Sequence, residues 1–292
     1  MSSPSEHRRA LALLVLTGLF WSSAGVLIEG VAWSPAAIWS VRSAIAAASL
    51  LAVRRFSWRG ITRWEWAAAC GLAATTGLFV VANKLTTPAN AILIQYSAPV
   101  WVALFGAWFL GERVTKLDWA TIVVVLGGIA LFFRDHLTVD HAAGNVVALA
   151  AGVAFAFGAM TMRKAATTPG RDGPIDPLRP LLLGNLLGAV LGAPWVIASS
   201  AWPDAKGWGA LVALGVVQQG AAYLCYGAAI RHASAIDVML VPVIEPILSP
   251  IWVAIAYGEI PGPWALVGGV IVVGAVTLRA VFGRRFAPPS GP

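Results

Sequence analysis

The stretch VPVIEPILSPIW, Val241 to Trp252, sets one carboxyl group, Glu245, among three prolines inside an apolar run from about residue 235 to 257. A bare carboxylate at that depth in a hydrophobic helix is costly, so Glu245 is expected to be protonated or paired with a polar group. It could couple a transmembrane process to protons, or it could be a hydrogen-bonded carboxyl that locks the proline kink. A second polar set lies in VVQQGAAYLCYG. Gln218 and Gln219 are adjacent near the middle of the run, and Tyr223 follows Gln219 by four, so those two share one helical face. Such a stripe either lines a cavity or bonds helix to helix. A third set, in IQYSAPVW, has Gln95, Tyr96 and Trp101 around Pro99. Glu245 apart, these are aromatics and neutral amides. A cavity built from them suits a zwitterion with an apolar or aromatic side chain better than a polyanion. The four histidines fall at the ends of apolar runs or between them, and there is no HExxH, nucleophile elbow or phosphate-binding loop. No catalytic residue, metal site or cofactor is therefore expected, and the chain does not read as an enzyme.

These groups need elements to hold them. The chain has 292 residues, 59% hydrophobic and 11% charged, with a mean hydropathy of +0.78. A soluble domain would have about a quarter charged residues. Ten apolar segments can be marked, near residues 10–28, 36–53, 64–83, 88–110, 117–133, 144–162, 179–200, 208–230, 235–257 and 263–282. Each approaches the roughly 20 residues that span a bilayer as a helix. The expectation is an all-α integral membrane protein of ten helices. The first segment follows Arg8 and Arg9 and resembles a signal peptide, yet it is as long as the others and reads as an uncleaved first helix. Cys70 and Cys225 fall inside segments and suggest no disulfide framework.

The net charge of +7 could point to nucleic acid, but the placement of the charges argues otherwise. With the N-terminus in the cytoplasm, sixteen lysines and arginines fall on the cytoplasmic side. Three (Lys84, Arg134 and Lys206) fall opposite, and Arg42 lies within the second segment. That bias predicts a multi-pass membrane protein in the lipid bilayer with both termini cytoplasmic. Arg42 could attract a carboxylate, or it could simply snorkel or bond helix-end carbonyls. Asp237, near the cytoplasmic end of the ninth segment, is expected to cap that helix or to pair with Arg231.

Shifting the chain by 147 residues lays PVWVALFGAWFLGE over PILSPIWVAIAYGE. Pro99 then meets Pro246, Gly111 meets Gly258, Glu112 meets Glu259 and Gly127 meets Gly274. The shift divides the segments five plus five, as repeats 1–143 and 144–292. An odd number of spans forces the second copy to enter from the opposite side, and such inverted repeats are a transporter architecture with a site near the midplane. Pro242, Pro246 and Pro250 recur every four residues, about 40° apart around a helix. With Pro99 and Pro88 in the fourth segment, they are either hinges shaping a cavity or kinks packed against neighbours. The sequence does not fix the oligomeric state, and a monomer is one option.

The run TTPANAILIQYSAPVWVALFGAWFLGERVTKLDWATIVVVLGGIALF resembles the EamA family of the drug/metabolite transporter superfamily. So do SPAAIWSVRSAIAAASLL and VIEPILSPIWVAIAYGEI. The resemblance covers about residues 10–282. It implies a ten-helix exporter of metabolites working by alternating access, similar to bacterial amino-acid exporters and to the YddG-type exporters of aromatic amino acids among them. Exporters of other metabolites or drugs in the same family are the alternative. In FWSSAGV, Trp21 and Ser22 lie past mid-depth of the first segment and join the expected cavity; the family commonly has an aromatic followed by a small residue there, which permits close packing. It also often has Glu-Pro at the position of Glu245 and Pro246.

Overall fold

The structure is a computed structural model, and it describes residues 4–86, 88–112, 114–132, 134, 141–170, 173–257 and 262–282. Gly258 and Glu259 lie outside these residues, and of Pro250 only the backbone is described. Among the described residues the regular structure is helical apart from a two-residue antiparallel pair, Pro169–Gly170 with Gly173–Pro174. In order the helices are α1 (Pro4–Ser22), α2 (Ala24–Glu29), α3 (Pro35–Val53), α4 (Arg63–Leu85), α5 (Pro88–Gln95), α6 (Ala98–Leu110), α7 (Lys116–Phe132) and α8 (Ala142–Thr167). They continue with α9 (Leu178–Ile197), α10 (Ala205–Ala213), α11 (Ala222–Ala229), α12 (Ala235–Leu240), α13 (Ile244–Tyr257) and α14 (Pro263–Phe282). A π-helix, Leu214–Ala221, joins α10 to α11, and a 3₁₀ turn, Val241–Val243, joins α12 to α13.

Among the described residues, seven helical stretches are long and apolar enough to cross a bilayer. They are Ser5–Ile28, Pro35–Val53, Arg63–Ala82, Ala91–Leu110, Ala142–Thr167, Leu178–Ile197 and Ala205–Ala229. Pro263–Arg279 is a shorter apolar helix. The first helix starts at Pro4, earlier than the apolar run, because SEHRR continues the helical turn without a breaker.

Caps set several starts. Thr62 and Glu65 form a reciprocal capping box at α4, and Ser234 and Asp237 form another at α12. At α7, Thr115 donates its backbone N–H to Asp118 while the Asp118 N–H returns to the Thr115 hydroxyl. All three box carboxylates also take an arginine. Glu65 pairs with Arg179, and Asp118 and Asp237 both pair with Arg279. The expected pairing of Asp237 with Arg231 therefore does not form. Arg231 donates instead to the Ile175 carbonyl, while Arg279 reaches Asp237 from α14. Glu112 is held by Arg163 at 2.9 Å and by the Ala235 N–H at 2.8 Å. His7 lies 3.1 Å from the His232 carbonyl, so the start of α1 sits at this same, proximal end of the bundle.

Glycine contacts bring the long helices close. A Cβ added to Gly71 of α4 would lie 2.6 Å from Gly158 Cα of α8, and one on Gly268 of α14 would lie 2.6 Å from the Phe132 N of α7. Such small-residue faces are how helices associate where lipid provides no hydrophobic drive. The main packed pairs are α4 with α8, α3 with α9, α7 with α14, α4 with α9, α1 with α11, and α3 with the π-helix. α5 and α6 pack on α8, as the 3₁₀ turn and α13 pack on α1.

The prolines are spent differently from one another. Pro242 lies in the 3₁₀ turn and does interrupt its helix. Pro246 is the third residue of α13 and Pro99 the second of α6, positions whose N–H has no intrahelical acceptor, so neither breaks a hydrogen bond. Pro250 falls within the continuous backbone of α13.

Candidate functional site

The helical runs leave α geometry at three places around which polar residues singled out in the sequence gather. α5 ends at Gln95 and α6 begins at Ala98, which leaves Tyr96 and Ser97 as a turn. The 3₁₀ turn ends at Val243, 147 residues after Tyr96, the same offset as the alignment of the sequence with itself. The Tyr96 hydroxyl donates to Glu245 Oε2 at 2.8 Å, bonding one interruption to the other. Tyr96 is buried and Glu245 half-buried.

The third departure, the π-helix, holds Gln218 and Gln219, both buried. π segments often mark functional sites. Gln219 Nε2 donates to the Tyr223 hydroxyl at 3.4 Å, as the spacing of four predicts. The Tyr223 hydroxyl also meets Asn185 of α9. Arg42 of α3, only 7% exposed, lies close to Tyr223 and Glu245. Four buried atoms here have no hydrogen-bond partner among the described residues: Arg42 Nε and the Oε1 atoms of Gln95, Gln218 and Gln219. An interior normally satisfies such groups, so these four atoms are free to take a water or a ligand.

Beside this cluster is an aromatic chamber. Trp21 meets Phe155 edge-on at 6.4 Å, Tyr223 edge-on at 6.5 Å and Tyr226 at 5.8 Å. Leu72, Thr75 and Met162 complete much of its apolar wall. Tyr223 belongs to both, with its ring in the chamber and its hydroxyl in the polar cluster.

Two expected cavity residues are used otherwise. The Ser22 hydroxyl accepts from Trp252 Nε1 at 2.8 Å and donates to the Leu19 carbonyl, tying α13 to α1. Trp101 donates to Ser97 at 3.2 Å and stacks on Phe105, which is 48% exposed. Trp108, one heptad on, is 85% exposed, whereas Trp101 is partly buried against the core. Sequence reasoning did not find Asn185, Tyr226 or the Trp252 tie. Asn185 had a signal, a lone amide in the apolar run of α9, but the partner of a lone amide depends on which helices meet.

A profile of the EamA-like transporter family matches residues 8–134 and again 142–280. A probable terminal-alkyne amino-acid exporter of Streptantibioticus cattleyicolor is 27% identical over 95% of this chain and 96% of its own length. The aromatic amino acid exporter YddG of Ancylobacter novellus is 25% identical over 74% of this chain and 75% of its own. The pseudopaline exporter CntI of Pseudomonas aeruginosa is 27% identical over 63% of each. A crystal structure superposes with a TM-score of 0.78 at 22% identity, covering 96% of this chain and 99% of the other, a likeness of fold. Two successive matches to one family profile, over nearly all of a helical chain with several membrane-length spans, make this protein a member of the EamA-like transporter family.

Proposed function

We propose that this protein is a secondary transporter of the bacterial inner membrane that exports small metabolites, foremost amino acids with aromatic or large neutral side chains, by alternating access. The observation that carries this reading is the Tyr96–Glu245 hydrogen bond across two corresponding helix interruptions, beside an aromatic-walled chamber. Discontinuous helices at matching positions of two repeats are where transporters place their sites. Export comes from the names of the relatives, two of which are amino-acid exporters.

The working unit is two inverted five-helix repeats, 1–143 and 144–292, in ten spans with both termini cytoplasmic. Packing supports this. Under the five-helix shift α4 on α8 becomes α11 on α1, α4 on α9 becomes the π-helix on α3, and α5 with α6 on α8 becomes the 3₁₀ turn with α13 on α1. The pairs α3–α9 and α7–α14 map onto themselves. Two copies with equivalent contacts can exchange packings, which opens the centre to alternate sides. The breaks at Tyr96–Ser97 and Val241–Val243, with Pro99, Pro242, Pro246 and Pro250 beside or beyond them, act as the hinges. Glu245 is the group that can carry a coupling proton.

Expression in a bacterium sensitive to p-fluorophenylalanine tests this. The wild-type protein should raise tolerance several-fold, and Glu245→Gln at equal membrane level should remove much of that gain. Unchanged tolerance with correctly inserted wild-type protein would contradict an aromatic substrate.

A further inference from the structure

Arg42 stands apart from the other arginines of the interior. Arg179 is satisfied by Glu65 and by the Ser57 and Arg59 carbonyls, and Arg279 by Asp118 and Asp237. Arg163 bonds Glu112 and the Ile230 carbonyl. Arg42 is as deeply buried as these, yet no acceptor among the described residues bonds it, and its Nε is sealed from solvent. A buried guanidinium without acceptors is expensive to maintain. Its planar fork is matched by a carboxylate, which can take two parallel hydrogen bonds from it.

The surroundings place that fork beside the candidate site. Arg42 is two turns into α3, which packs on the π-helix. Gly215 of the π-helix lies against it, and a Cβ there would come 3.1 Å from the Arg42 carbonyl. One turn on, the π-helix presents Gln219, itself with an orphaned oxygen, and then Tyr223, whose ring walls the aromatic chamber. Glu245 is close to Arg42 but is bonded to Tyr96 and not to the guanidinium.

We infer that Arg42 is the receptor for a free carboxylate on the cargo, with the side chain of the cargo in the chamber walled by Trp21, Phe155 and Tyr223. This rests on the transport reading above and deepens it. The substrate class is then defined by its carboxylate, and amines or amides of the same shape are poor ligands.

Thermal unfolding of the purified full-length protein, titrated with matched pairs, tests it. L-phenylalanine is set against L-phenylalaninamide, and 3-phenylpropionate against 3-phenylpropionamide. The acid of at least one pair should half-saturate at a concentration about tenfold below its amide, the scale of one charge-assisted hydrogen bond. Arg42→Gln should erase that preference by weakening the acid alone, and Arg42→Lys, which keeps the charge but loses the fork, should fall between. If only 3-phenylpropionate shows the Arg42-dependent preference, the amino-acid reading fails and the carboxylate receptor stands. Equal binding of acid and amide by the wild-type protein, no stabilisation by any of the four, or a preference that survives in a folded Arg42→Gln variant would each overturn the inference. The wild-type comparison decides the matter even if Arg42→Gln does not fold.

Discussion

The Tyr96 hydroxyl on Glu245 is the smallest unit of the account, and each partner has its own prediction. Tyr96→Phe removes a hydrogen bond to a carboxyl, a contact worth about 1.5–3 kcal/mol when the carboxyl is ionised. Substrate half-saturation should therefore rise roughly tenfold while the protein still folds, as measured by uptake into proteoliposomes. Glu245→Gln keeps an oxygen for Tyr96 to bond but cannot release a proton, so the pH dependence of transport should flatten. An unchanged pH profile would remove Glu245 from coupling and leave it as a lock on the break. Tyr96, Gln219, Tyr223 and Glu245 were legible in the sequence because a polar group in an apolar run announces itself. Ser22 and Trp101 were misleading, since their types fit a cavity but their directions depend on neighbours. Trp252, 230 residues from Ser22, claims that hydroxyl, and nothing local could say so.

Helix positions were legible and helix interiors were not. Every apolar run became helix, but the proline signal found the break at Pro242 and overstated those at Pro246 and Pro250. A proline in the first turn sacrifices nothing, and only knowing where α13 begins reveals that Pro246 is in it. The π-helix has no sequence signature here at all. Helix partners were equally hidden, and two predictions follow from them. Arg279→Gln leaves Asp118 and Asp237 buried without their cation and should destabilise the fold by about 3–5 kcal/mol. Neutralising both aspartates in that background should recover part of the loss in denaturant unfolding. Gly71→Ala would drive a methyl into Gly158 and should cost about 1–3 kcal/mol by overpacking. Gly127→Ala meets nothing within 4 Å, so it should be neutral or stabilise by up to about 1 kcal/mol. That empty space also means packing does not explain why Gly127 and Gly274 fall on each other in the repeat.

At the scale of the molecule, the proposed five-helix shift and the charge bias make one prediction that can be read directly, the sidedness of the loops. In a background with Cys70 and Cys225 replaced by alanine, Ala201→Cys, exposed between α9 and α10, should react with a membrane-impermeant maleimide on intact cells. Arg59→Cys, exposed between α3 and α4, should react only after permeabilisation. The reverse pattern would invert the topology. At the proximal end the ion pairs of Glu112, Asp118 and Asp237 tie α7, α8, α12, α14 and the segment after α6 together, so the proposed alternating access predicts that these contacts break when that side opens. The most direct measurement is counterflow. Proteoliposomes preloaded with unlabelled L-phenylalanine are offered labelled L-phenylalanine, with leucine, serine and lysine as comparisons. The account predicts transient accumulation of phenylalanine and other large neutral amino acids above equilibrium, weak for serine and absent for lysine. No accumulation of any amino acid by folded, reconstituted protein would contradict it.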